Sequence, residues 1–251
     1  MENIKIFGVR VDNVTLEEAT NRVEVFLQGN ETKAIYTPNT EIIMEAKDDE
    51  VLRNVLNKGD LIIPDGIGLI YASRIKKKPL VERVTGFDLS MEMIKLADRH
   101  ACSLFLLGGE EGISKQAGEN IVKKYPNIKI AGYNNGYFKG AHIGFPGHEE
   151  EREVIEKIKQ TNPDIIFVGF GAPKSEKWID LYKDELNCKV IIGNGGTMDI
   201  IAGKVKRAPE IYQKLGLEWF YRLIKEPSRI KRQIAIPKFM FKVIFGKNVV
   251  E

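Results

Sequence analysis

Short apolar runs alternate with longer amphipathic stretches along most of this 251-residue chain, and no other feature restricts the fold as much. The runs at 4–9, 33–36, 61–63, 103–107, 129–131, 165–169 and 189–192 read as strands. Most are continuously apolar, as in strands covered on both faces. Helices are expected between them, over 15–28, 41–57, 67–77, 88–100, 112–125, 149–160 and 175–187. The first opens with TLEEA, where Thr15 and Glu18 have the spacing of a capping box. Strands alternating with helices of this length predict an α/β fold, an open and mainly parallel sheet flanked by helices.

Two stretches depart from the alternation. Residues 134–151, NNGYFKGAHIGFPGHEEE, read as a loop that ends in an acidic helix start. From 204 onward the chain changes character. Residues 204–251 hold 12 Lys/Arg against 4 Asp/Glu, and seven of the 22 aromatic residues. The overall formal charge of +3 therefore joins an acidic body, 1–203, to a basic aromatic tail, 204–251. Pro209 can open a helix running to about 225, and Pro227 and Pro237 divide the remainder into short pieces.

No apolar run approaches the roughly 20 residues of a membrane-spanning helix, and the opening MENIKIFGVRVDN does not read as a signal peptide. Cys102 and Cys188 sit in strand-like surroundings and are expected to be reduced core thiols. The three histidines are scattered, with no HExxH or CxxC, so no metal site is expected. There is no GxSxG elbow, no GxxxxGK[ST] loop and no Asp-x-Asp pair. A chain like this would have to neutralise a diphosphate with arginines and helix N-termini.

In an open α/β sheet, ligands sit at the carboxyl ends of the strands. Those ends are rich in small residues: Thr37-Pro38-Asn39, Pro64-Asp65-Gly66, Gly108-Gly109, Gly169-Phe170-Gly171-Ala172-Pro173 and Gly193-Asn194-Gly195-Gly196. Asp65 is either the N-cap of the next helix or a catalytic base. Thr37 and Asn39 are either turn and cap residues or ligand contacts. Arg83 is either a surface ion pair or a functional group. GFGAPK and GNGGTM lack the third glycine of a dinucleotide fingerprint, which weakens an oxidoreductase reading. In the tail, Arg222, Arg229 and Arg232 can form a phosphate clamp. The bases and aromatics of 238–245 suit a membrane surface, a nucleic-acid strand, or docking on the core.

The stretch GNGGTMDIIAGKVKRAPEIYQKLGLEWFYRLIKEPSRIKRQ (193–233) closely resembles the C-terminal signature of the WecG/TagA/CpsF glycosyltransferases. TPN (37–39), PDG (64–66), ERVTGFD (82–88), FLLGG (105–109) and GAPKSEKW (171–178) follow that family's order upstream, so the resemblance covers nearly the whole chain. It implies a Rossmann-like body, 1–203, and a membrane-proximal appendage, 204–251, that completes the active site.

Within the family, the resemblance is greatest to the branch that builds the linkage unit of wall teichoic acid. It implies inverting transfer of N-acetylmannosamine from UDP-N-acetylmannosamine to N-acetylglucosaminyl-diphospho-undecaprenol, forming a β-1,4 bond. A different donor, such as the UDP-linked mannosaminuronic acid, is the alternative. By motif position Asp65 matches the family's general base. Thr37, Asn39 and Arg83 match pocket residues, and Gly108, Gly109, Gly171, Pro173, Ser175 and Gly195 extend the substrate-binding set. Arg222, Arg229 and Arg232 match arginines that meet the diphosphate. Ser175 stands where the family usually has Gln, and the 140–147 loop is longer than usual. The expected enzyme uses no cofactor and no metal. It is cytoplasmic, lies peripherally on the inner membrane face, self-associates in solution and has no nucleic-acid partner.

Overall fold

The computed structural model describes residues 2–247 and 249–251. The chain opens with an antiparallel hairpin, β1 (Asn3–Ile6) and β2 (Val9–Asp12). A single strand over 4–9 is therefore a misreading. Phe7 and Gly8 both take positive φ, 49° and 80°, and such a pair turns the chain back as a two-residue hairpin turn.

The main sheet holds β3 (Lys33–Tyr36), β4 (Leu61–Ile62), β5 (Ser103–Gly108), β6 (Lys129–Asn134), β7 (Ile165–Gly169) and β8 (Val190–Gly193). Their order is β4-β3-β8-β7-β5-β6 and every pairing is parallel, the open α/β sheet expected from the alternation. Successive side chains along a strand enter opposite layers. Tyr36, Phe105, Leu107, Ile166, Val168 and Ile191 pack with the helices Thr40–Asp48, Glu50–Asn57, Ile67–Ile75, Glu149–Thr161 and Lys174–Tyr182. Ile35, Leu104, Leu106, Ile165, Phe167 and Ile192 face the other way, onto Leu16–Leu27, Gly86–Arg99, Ile113–Lys124 and Thr197–Ile201.

Local chemistry explains the helix boundaries. Thr15 and Glu18 close the expected capping box reciprocally. The single helix expected over 41–57 is two helices. Asp49 is extended, ends the first and caps the second through its contact with the Leu52 N–H at 3.0 Å. The loop before Glu149–Thr161 holds one short 3₁₀ turn and is gathered by Glu151, whose buried carboxylate accepts from Ala141 N, Gly147 N, Trp178 Nε1 and the Tyr182 hydroxyl. Both cysteines are free and buried.

The residues beyond 204 divide into two parts. Glu210–Lys214, Glu218–Lys225 and Ile230–Gln233 are short helices, broken at Gly216 and Pro227 and largely exposed. The last helix, Ala235–Phe245, places Phe239 and Val243 fully inside the core. The chain then returns to β1, where Lys5 N–H donates to Glu251 O at 2.8 Å and Phe7 N–H to Val249 O at 2.9 Å. Among the described residues, no helix is long and apolar enough to cross a membrane.

Candidate active site

After β3 and β7 the chain turns into the first layer of helices, and after β5 and β8 into the second. Neighbouring strands whose chains part in this way open clefts at their carboxyl ends. The clefts between β3 and β8, β8 and β7, and β7 and β5 lie side by side. Thr37 and Asn39, Gly108 and Gly109, Gly171, Pro173 and Ser175, and Gly195 end or follow these four strands.

Asp65 follows β4 and is not a cap. Gly66 begins helix Ile67–Ile75 without any side-chain cap. The half-buried Asp65 carboxyl instead lies among Arg222, Arg83, Glu218 and the backbone N–H of Gly86. Burial pushes its pKa up to about 6; the two arginines and that N–H pull it down, and Glu218 adds to the rise. A carboxyl so placed is ionised at neutral pH yet basic enough to take a proton.

The loop that brings Arg83 here is fastened to Asp65's own loop. Val84 N–H donates to Pro64 O at 3.1 Å, and Thr85 caps helix Gly86–Arg99 through the Asp88 N–H. Gly86 packs tightly against this site, where a Cβ would stand 3.1 Å from Thr37 Oγ1. Thr37 is buried and donates to Gly193 O at 3.2 Å, so it ties β3, β8 and the Gly86 turn together. Asn39 caps helix Thr40–Asp48, accepting from Glu41 N and Ile42 N at 2.9 and 3.1 Å. The cap leaves its Nδ2 without a protein partner among the described residues.

Arg83 is neither exposed nor free. Its Nη2 donates to Glu218, at the start of helix Glu218–Lys225. Arg207 joins from the same tail. It pairs with Asp88 at 2.7 and 2.9 Å, stacks 4.5 Å over the Phe87 ring, and holds Nε 3.7 Å from Glu218. Neither Arg207 nor Glu218 stands out in the sequence as a site residue. Their partners lie 119 and 135 residues away, a separation that local pattern cannot bridge.

The three tail arginines separate in the structure. Arg222 lies close enough to Asp65 to act on its charge. Arg229 pairs with Glu226 at 2.7 Å and reaches the field of Asp199. Arg232 pairs with Glu41 at 3.2 Å, on a groove of about 440 Å³ that also carries Glu45, Asp48, Lys238 and Lys242.

The glycines do two kinds of work. Gly108 has φ +124°, and a Cβ there would stand 2.6 Å from the Gly169 carbonyl carbon, so β5 and β7 close only around glycine. Gly109 N–H completes that closure by donating to Gly169 O at 3.2 Å. Gly171 and Gly195, both at positive φ, face open space, so a ligand can approach their backbone. Pro173 precedes helix Lys174–Tyr182. Ser175 is buried, and its Oγ accepts from Phe170 N–H at 3.0 Å. It therefore braces the 169–173 loop. His142, from the longer loop, stacks on Phe170 at 4.2 Å and braces the same segment from above. Among the described residues, no group of three acidic, histidine or cysteine side chains is placed to hold a metal ion.

A family model described as "Glycosyl transferase WecG/TagA/CpsF family" matches residues 4–249. The chain belongs to that family. Similar relatives include N-acetylglucosaminyldiphosphoundecaprenol N-acetyl-beta-D-mannosaminyltransferases of Staphylococcus aureus strains MRSA252, MW2 and NCTC 8325. Each is 33% identical over 250 residues, covering 99% of this chain and 94% of the relative. The match runs through hairpin, sheet and tail of this WecG/TagA/CpsF glycosyltransferase alike.

Proposed function

We propose that this glycosyltransferase moves N-acetylmannosamine from UDP-N-acetylmannosamine to N-acetylglucosaminyl-diphospho-undecaprenol, forming a β-1,4 bond with inversion, in synthesis of the wall teichoic acid linkage unit. The observation that carries the chemistry is Asp65, one carboxyl basic enough for the task, under a tail helix that brings Arg222. Inversion is a single displacement at the anomeric carbon. Asp65 takes the proton of the acceptor hydroxyl, whose oxygen bonds to that carbon. The bond to the UDP oxygen breaks, and its electron pair leaves on the diphosphate.

The leaving diphosphate needs charge stabilisation. Arg222, beside Asp65, supplies it through charge-assisted hydrogen bonds, and Arg229 and Arg232 join it only by leaving their present partners Glu226 and Glu41. The ion pairs that Arg229 and Arg232 make now are partly exposed and exchange at little cost. Thr37, Asn39, Arg83, Gly108, Gly109, Gly171, Pro173, Ser175 and Gly195 form or brace the walls of the donor cleft. With arginines in this role the reaction proceeds without a metal, and a chelator is expected to leave the rate unchanged. A strong loss of rate in EDTA would contradict that assignment.

The lipid acceptor requires a protein at the membrane surface. Phe241, Ile244 and Phe245 are exposed on the last helix, with Lys238 and Lys242 beside them. This composition suits the inner face of an anionic membrane. Without lipid, the same surface is expected to drive self-association. The direct test is a panel of UDP-sugars offered with the lipid-diphosphate acceptor and read by mass spectrometry. A single added N-acetylhexosamine, from UDP-N-acetylmannosamine alone, is the expected product. Transfer only from the mannosaminuronic acid donor would reassign the substrate within the family.

A further inference from the structure

The tail helix Glu218–Lys225 begins with a carboxylate that has no part in the transfer chemistry described for Asp65 and the tail arginines. Glu218 pairs with two arginines at once: it accepts from Arg83 Nη2 on one oxygen and stands 3.7 Å from Arg207 Nε with the other. Each arginine is held further. Arg207 is locked by two contacts to Asp88, itself bonded to Thr85 Oγ1 at 2.6 Å, and by the Phe87 ring. Arg83 gives Glu218 one nitrogen, Nη2; its other N–H groups have no protein partner among the described residues. Just before the helix, Gly216 is packed so closely on Ile67 that a Cβ would stand 2.6 Å from Ile67 Cγ1, and Ile67 lies two residues from Asp65. Glu218 thus sits where the Asp65 loop, the Arg83 loop and the tail converge.

Resting on the reading of Asp65 as the base, we propose that Glu218 is a positioning residue of the transfer reaction. Its carboxylate clamps Arg83 and Arg207 side by side, and so fixes the helix that carries Arg222 over Asp65. Glu218 makes Arg83 present its remaining donors to substrate instead of collapsing onto Asp65. The negative charge also opposes the pull of Arg222 and Arg83 on the base.

Glu218→Gln keeps the shape and removes the charge. It is expected to lower kcat by about 10-fold or more, the scale of a misplaced reacting group. It should also move the ascending limb of kcat/KM to lower pH, since Asp65 loses a negative neighbour and gains an unclamped Arg83. Glu218→Asp keeps the charge on a shorter arm, so kcat falls while the limb stays in place. A structural role alone would lower the thermal midpoint without moving the limb. A wild-type limb or a wild-type kcat in folded Glu218→Gln would overturn the proposal. If that variant does not fold, a wild-type kcat in Glu218→Asp overturns it, and a reduced kcat with an unmoved limb supports it. Asp65→Asn, measured alongside, separates the two readings. If it stays active, the base assignment has failed; if it is inactive while Glu218→Gln behaves as wild type, only the clamp has failed.

Discussion

Asp65→Asn is expected to fold normally and to lose about 100- to 10,000-fold in turnover, the usual contribution of a positioned general base. Asparagine has the same shape and can still accept from the Gly86 N–H. Only the proton acceptor is removed. Stability should not suffer. Burial holds the Asp65 pKa above its ordinary value, at about 6, so the ionised side chain opposes folding at neutral pH and the amide relieves that cost. In the parent enzyme kcat/KM should rise as pH rises through about 6, because the base works only when deprotonated. That limb should be missing from the residual activity of the variant. Turnover measured at saturating acceptor decides the matter, and a near-normal rate for Asp65→Asn would dismiss the base.

Much of this arrangement is legible in the amino-acid sequence. Continuous apolar runs mark six parallel strands, because a strand covered on both faces has no polar side to show. The strand ends then point to Thr37, Asn39 and Asp65, the family motif ERVTGFD points to Arg83, and the fold carries these to adjoining loops. The hidden part depends on tertiary partners. Nothing local distinguishes an Asp that caps from one that does not. Asp65 lies among arginines because the 82–86 loop is fastened to Pro64, and Asp49 breaks a helix that periodicity would have continued. Ser175 enters by motif position, and only the structure shows its hydroxyl accepting from the Phe170 backbone N–H. Glu218 and Arg207 are visible as letters in a family signature. Their meaning comes only when residues more than a hundred positions apart meet.

The basic tail is where composition and packing part most clearly, and two phenylalanines two positions apart test the difference. Phe239 is fully buried, 5.7 Å from the Phe7 ring of the hairpin turn, while Phe241 on the same helix is 64% exposed. Phe239→Ala is expected to cost about 3–5 kcal/mol, from lost burial and the cavity left behind. Phe241→Ala should change stability by less than about 0.5 kcal/mol, as surface substitutions do, yet weaken binding to phosphatidylglycerol vesicles. Urea midpoints and vesicle flotation read the two effects separately. A chain cut after Gly203 cannot separate them. It would remove Phe239, Val243, Val249 and Val250 from the core, together with the residues that pair with β1, so its inactivity would report unfolding as readily as an open site. The same helix anchors the tail through one face, and the proposed function gives the other face to lipid. Equal destabilisation by both substitutions would refute that division, as would unchanged vesicle binding by Phe241→Ala.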